Sequence, residues 1–201
     1  MKKQEENQIL KLIKDPPHIK GLVLTGGKST RMGTDKSQLK YHGKPQKEYA
    51  KNLLENLGIA TFYSVANGSE RPNEIPDIIP NFGPFGGVLS AFSKDPNTAW
   101  FALAVDLPFV NMELLQQLWK QRNTSKVATA VRGKNKKYPE PLIAIYEPAI
   151  WPVLQQSFKD HNVSLVNILI NSEVEIVEVE DDLIQNMNTL DAYVRAKKNF
   201  I

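Results

Sequence analysis

The stretch LVLTGGKSTRMGTDKSQL, residues 22–39, joins an apolar run to a glycine-rich basic loop, and its reading decides the fold. Its centre, Gly26-Gly27-Lys28-Ser29, ends like a phosphate-cradling P-loop. That pattern, G-x-x-x-x-G-K-[ST], needs another glycine five positions before the one preceding the lysine. Here the position falls on Leu22, inside the apolar run, and Gly21 lies one residue too early. Successive backbone N–H groups must aim at the phosphates, so the slip removes the Walker reading. What remains is a strand running into a cationic glycine loop. Gly26 and Gly27 permit close backbone approach to an anion or a flat base, and Gly33 permits a further turn. Lys28, Arg31 and Lys36 place three cations within nine residues. That density suits a polyanion such as a nucleoside triphosphate, because arginine grips oxygens in a fork while lysine acts as a point charge. The alternative is a solvated glycine turn with ordinary surface charges.

Outward from this loop, short apolar runs alternate with helical patterns. GLVLT (21–25), ATFYSVA (60–66), AWFALAV (99–105), KVATAV (126–131) and PLIAIY (141–146) read as strands, and EVEIVEV (173–179) alternates like an edge or half-exposed strand. QKEYAKNLLENL (46–57) gathers Tyr49, Leu53, Leu54 and Leu57 on one helical face and stops at Gly58. NMELLQQLWKQ (111–121) starts at a capping Asn111, EPAIWPVLQQSF has Pro148 near its first turn, VSLVNILI is a shorter candidate, and TLDAYVRAKKNF follows as a last helix. This alternation predicts a three-layer α/β/α domain with a mostly parallel sheet, in which ligands bind beyond the carboxyl ends of the strands.

The 201 residues suit one domain with a full core. The absence of cysteine excludes disulfides, thiolate zinc sites and a cysteine nucleophile. A formal charge of +3 is too small to imply a nucleic-acid binder, though it suits an anionic small molecule. No apolar run reaches the length of a membrane span. The first 20 residues form no signal core; Ile9, Leu12 and Ile13 mark a short amphipathic helix ended by Pro16-Pro17, read as an extension before a single domain at 21–201. A cytoplasmic location is expected. RGKNKKYPEP (132–141) is the one charged loop of note.

Further chemistry gathers after the other strands. In AWFALAVDLPFV, Asp106 ends an apolar run before Leu107-Pro108, so its carboxylate is expected at a strand's carboxyl edge as a hard-oxygen ligand for Mg²⁺; the alternative is an aspartate that merely opens a turn. NFGPFGGVLSAF (81–92) is a glycine-rich loop entering a helix, able to hold a phosphate or base, or simply to pack. Asn67 follows a strand, and Asn186 and Asn188 precede the last helix, where Asn188 can also serve as a cap. His18, His42 and His161 match no zinc pattern and are expected at the surface.

LTGGKSTRMGTDK, GKPQKEYA, GPFGGVLSAF, LAVDLPFV, YPEPLIAIY and QNMNTLDAY, in this order from about 21 to 193, together resemble the molybdenum cofactor guanylyltransferase family of nucleotidyltransferases. The TGG of the first loop, where cytidylyl members tend to carry AAG, favours guanine. The resemblance implies a Rossmann-like nucleotidyltransferase fold, GTP as donor, Mg²⁺ as cofactor and molybdopterin as acceptor. It implies molybdenum insertion proteins and target molybdoenzymes as further partners, with neither nucleic acid nor membrane. By motif, Leu24, Thr25, Gly26 and Gly27 would meet GTP through backbone groups, and Arg31 and Lys36 would hold phosphate. Asn67 would stand at the nucleotide, Asp106 would bind metal, and Asn186 and Asn188 would lie near the pterin. Where an acidic residue often precedes the GPL-GG loop, this chain has Asn81 or, alternatively, Asp77. Related readings are a cytidylyl or sugar-phosphate nucleotidyltransferase, or a regulatory nucleotide-binding protein.

Overall fold

A computed structural model describes residues 18–25, 36–66 and 71–187. The expected first and last helices, most of the glycine loop, Asn67 and Asn188 lie outside those residues.

One seven-stranded sheet runs through the described residues: β1 (Ile19–Leu24), β2 (Thr61–Val65), β3 (Glu74–Pro76), β4 (Ala99–Ala104), β5 (Ala128–Gly133), β6 (Glu140–Tyr146) and β7 (Val174–Val179). Their spatial order is β3-β2-β1-β4-β6-β5-β7. β1 lies parallel to β2 and β4, β2 to β3, and β5 to β7; β6 alone is reversed, antiparallel to β4 and β5. Six of these strands match the apolar runs of the sequence, with β1 starting two residues earlier than its run. β4 is buried at every position, which explains its unbroken hydrophobicity, while the alternating β7 takes an edge. β3 was not expected: three residues carrying Pro76 show no periodicity, and a sheet edge is where proline is tolerated.

Helices cover both faces. α1 (Gln46–Glu55) packs on β1 and β2 and touches α3 (Met112–Lys120), which lies on β5, β6 and β7. α2 (Gly83–Lys94) packs from β3 to β4 and meets α4 (Trp151–Lys159), which contacts α5 (Leu165–Ile170). The result is the expected three-layer α/β/α arrangement.

Local chemistry explains the helix ends. Asn111 caps α3 by accepting from the Leu114 N–H at 2.9 Å, and Ser164 caps α5 through the Asn167 N–H at 3.3 Å. Gly58 adopts φ 81° where the chain leaves α1. Pro148 opens a 3₁₀ turn (Pro148–Ile150) rather than α4, whose own first turn contains Pro152.

The GPFGGV segment is shaped by close approach. A Cβ at Gly87 would collide with Ser64 Oγ and stand 2.9 Å from Leu24 Cδ2, so α2 can lie directly on the ends of β1 and β2 only with glycine there. Gly87→Ala is expected to lose about 1–3 kcal/mol of stability through this overpacking. Urea unfolding measures it, and an unchanged midpoint would show that the contact is dispensable.

Candidate active site

The order in which successive strands are added reverses at β1, with β2 on one side and β4 on the other, and the crevice at such a switch point is where ligands bind in open α/β sheets. β1 and β4 run in register to Leu24 and Ala104, and the Val105 N–H donates to the Leu24 carbonyl at 3.3 Å. The entrance to the glycine loop and Asp106 therefore emerge at adjacent strand ends. Leu24 is buried in the sheet, and the Thr25 hydroxyl donates to the Ser64 carbonyl, tying the end of β1 to β2. Lys36 opens a 3₁₀ turn (Lys36–Gln38) where the chain returns from the loop. The Lys36 side chain, Gly26, Gly27 and Arg31 lie outside the described residues, as do Asn67 and Asn188.

The loop carrying Asp106 is fixed from below. The Tyr49 hydroxyl of α1 donates to the Val110 carbonyl at 3.1 Å, and His42 Nε2 lies 2.9 Å from the Pro108 carbonyl. The two rings stack with centroids 3.6 Å apart. Burial lowers the His42 pKa, Lys44 adds to the effect, and the Pro108 carbonyl opposes it. His18 and His161 are exposed as expected, whereas His42 is a half-buried buttress. Its role is invisible locally because its partners lie on α1 and beyond β4.

Asn186 joins Asp106 from far along the chain. The Met187 N–H donates to the Asp106 carbonyl at 2.8 Å, which places Asn186 beside the strand end. Asn186 Oδ1 is shielded from solvent and has no hydrogen-bond partner among the described residues. Glu140, which the sequence reading had not singled out, completes this edge. β4 and β6 pair antiparallel through Leu103 and Ile143, and continuing that register brings Glu140 opposite Asp106. Burial raises the Glu140 pKa, the Leu142 N–H opposes this, and the Asp106 charge raises it further.

Asp77 and Asn81 part company in three dimensions. Asn81 is exposed at φ 70° in the turn before α2, a left-handed position that asparagine tolerates. Asp77 follows β3; its N–H donates to the Val65 carbonyl at 2.8 Å, and its Oδ1 accepts from the Ser64 hydroxyl at 3.2 Å. It is the carboxylate at the carboxyl edge of β2, and burial raises its pKa against the Ser64 hydrogen bond.

A cavity of about 670 Å³ opens beside this edge, lined by Asn186, Glu140, Phe85, Leu165, Lys137 and Tyr138 among others. Its size, with apolar walls and charged groups that include Lys136, Lys137, Glu140, Asp181 and Asp182, suits a small organic molecule with polar substituents. The oxygen donors also suit a hard divalent cation: a strand-end carboxylate in Asp106 and an orphaned amide oxygen in Asn186. No cluster of three or more histidine, aspartate or glutamate side chains able to hold a metal occurs among the described residues. A hard divalent cation in such a site is commonly held by one or two carboxylates together with substrate phosphates.

A Rossmann-like sheet with a switch point at β1 and a carboxylate at the neighbouring strand end is the frame of a nucleotidyltransferase-type α/β domain. Residues 21–173 match the model of the MobA-like NTP transferase domain, and the chain belongs to that family. It is 32% identical over 184 residues to a molybdenum cofactor biosynthesis bifunctional protein of Synechocystis, a match covering 86% of this chain and 52% of that protein. The chain thus spans about half the length of that relative. It is 30% identical to a molybdenum cofactor guanylyltransferase of Serratia proteamaculans, over 69% of this chain and 72% of the relative. The crystal structure of molybdopterin-guanine dinucleotide biosynthesis protein A from Archaeoglobus fulgidus superimposes with a TM-score of 0.72 at 24% identity, covering 90% of this chain and 97% of that one. Among the described residues no helix is long and apolar enough to cross a membrane.

Asp77 supplies a test by its proton linkage. Because its pKa is raised on folding, the native state binds more protons than the unfolded chain as pH rises from the ordinary aspartate range through the raised value, and stability falls across that window. Asp77→Asn removes the ionisation yet can still accept from Ser64. Without nucleotide, this variant is expected to melt above the parent at pH 7 and level with it below the ordinary aspartate range. Equal melting at pH 7 would refute the assignment.

Proposed function

We propose that the chain transfers GMP from GTP to the terminal phosphate of molybdopterin, giving the guanine dinucleotide cofactor and pyrophosphate. The observation that carries this reading is the convergence of three features at one sheet edge: the entrance to the glycine loop beside Asp106, Asn186 joined to Asp106 through Met187, and the cavity beyond. The relatives' names, the family and the TGG of the first loop point to the guanine donor.

In the reaction an oxygen of the acceptor phosphate forms a bond to the α-phosphorus of GTP. The bond from that phosphorus to the α–β bridging oxygen breaks, and the electron pair leaves with pyrophosphate. Backbone groups of Leu24, Thr25, Gly26 and Gly27 would cradle the nucleotide, with Asn67 and Asp77 beside it. Asp77 takes this place rather than Asn81 because its carboxylate sits at the strand edge. Arg31 and Lys36 would draw charge from the leaving pyrophosphate, so catalysis rests on alignment and charge stabilisation. Asp106 would hold Mg²⁺, with Asn186 Oδ1 as a further oxygen, and the bound ion would neutralise phosphate charge. Asn186 and Asn188 would face the acceptor. Residues 21–201 would act as one domain behind an appended segment at 1–20, in the cytoplasm, supplying product to molybdenum insertion proteins and target molybdoenzymes.

Pyrophosphate release measured with GTP, CTP or ATP in the presence of Mg²⁺ and molybdopterin tests the donor. GTP is expected to be preferred, and GTP binding without pyrophosphate release would reduce the protein to a nucleotide binder. Asp106→Ala is expected to keep its fold and lose about 10²–10³-fold in turnover, in the range typical for one electrostatic contact to a transition state. Full activity in that variant would remove the metal assignment.

A further inference from the structure

We infer that the loop between β5 and β6 is the acceptor clamp, with Lys136 and Lys137 holding an anionic group of the acceptor. The inference rests on the guanylyl-transfer reading of the adjoining cavity.

The sheet order puts donor and acceptor on opposite sides of Asp106. The glycine loop follows β1, on one flank of β4; β6, and with it the loop before Glu140, lies on the other. This loop is fixed at its base. The Lys134 N–H donates to the Val179 carbonyl at 3.0 Å, the Asn135 N–H to Asp181 Oδ1 at 3.2 Å, and the Lys136 N–H to the Gly133 carbonyl at 2.9 Å. A Cβ at Gly133 would collide with Asp181 Oδ1 and lie 2.8 Å from Lys136 Cγ, so a side chain there would push Asp181 and Lys136 from their places where the loop presses onto the 3₁₀ turn Asp181–Ile184.

The charges on this part of the sheet are sorted. Lys126 pairs with Glu173, Arg132 with Glu178 and Lys134 with Glu180. The next two cations, Lys136 and Lys137, line the cavity and have no ion-pair partner among the described residues. The Lys137 ammonium stands 5.1 Å from the centroid of the Tyr138 ring, which is 48% exposed at the cavity wall. Asp181, Asp182 and Glu140 are also in that wall; Asp181 accepts from the loop backbone, and Glu140 lies at the strand edge opposite Asp106, so the two lysines are the cations of a mixed-charge wall. Two unpaired ammonium groups on a pre-set loop, beside an aromatic face, form a receptor for an anionic ring compound. Molybdopterin offers two anionic ends, a phosphate monoester and a dithiolate, and either meets this chemistry.

The experiment compares the full chain with Lys136→Ala/Lys137→Ala, Lys136→Arg/Lys137→Arg and, as a charge control on the exposed side of α3, Lys120→Ala. Pyrophosphate release is measured with each substrate varied in turn, and molybdopterin binding without GTP is followed by pterin fluorescence. The double alanine variant is expected to raise the KM and Kd for molybdopterin about tenfold or more, the size of a lost charge-assisted contact, while the KM for GTP stays unaltered. The arginine pair restores most of the affinity, and Lys120→Ala matches the parent. Molybdopterin with both thiolates alkylated identifies the anion: a persisting gap between parent and double variant assigns the lysines to the phosphate, and a vanished gap assigns them to the dithiolate. Unaltered molybdopterin KM and Kd in a double variant that melts like the parent overturn the clamp. A parent protein that binds molybdopterin yet releases no pyrophosphate overturns the transferase reading instead, and the fluorescence titration still decides the role of the lysines.

Discussion

The antiparallel pairing of β6 with β4 is the constraint on which the rest of the site depends. In a parallel sheet the carboxyl edge receives only the ends of strands; a reversed strand delivers its beginning there. β6 accordingly brings Glu140, and the loop that precedes it, to the edge where β1 and β4 finish. Its other end is locked by a buried ion pair. Glu147, 1% exposed, accepts from Arg122 Nε at 2.6 Å and from a second guanidinium nitrogen at 2.9 Å, and its N–H donates to the Val127 carbonyl. Such a bidentate pair is worth less as a source of stability than as a fixer of position, because either partner left alone in the interior would be strongly unfavourable. Tyr146, also buried, donates to the Pro141 carbonyl at 2.7 Å and holds the first residues of the strand against its last.

How much of this was legible depends on whether the signal is local. β4 could be read because burial on both faces demands an unbroken apolar run, and Asp106 because it ends that run before Leu107-Pro108. β7 showed its edge position through strict alternation. Strand direction, by contrast, leaves no mark in PLIAIY, so nothing local placed Glu140 opposite Asp106. The different positions of Asn81 and Asp77 likewise depend on a three-residue strand too short to show a period, and His42 gains its contacts only when α1 and the loop after β4 are packed together.

The two perturbed carboxylates at this edge express a division between folding and function. Burial raises the pKa of both Asp77 and Glu140, so each charge is held where solvent would favour it more. A fold selected for stability alone would place apolar groups at these points. Carboxylates with raised pKa values and a buried amide oxygen without a partner, as on Asn186 among the described residues, cluster at functional sites more often than in structural cores.

The same logic accounts for the charges farther out. The ladder from Lys126–Glu173 through Arg132–Glu178 to Lys134–Glu180 lies in solvent, where individual pairs add little to stability. Charged side chains on an edge strand do something else: they discourage another chain from adding to the sheet. Glutamates on β7 and on the residues flanking it also occupy the cations of β5 and its flanks as far as Lys134. The series stops where the loop turns over the cavity, whose wall carries Lys136 and Lys137 together with Glu140, Asp181 and Asp182. The ion-paired members of this run of basic residues, and those without an ion pair among the described residues, are thus divided at the turn held by Gly133 and Asp181.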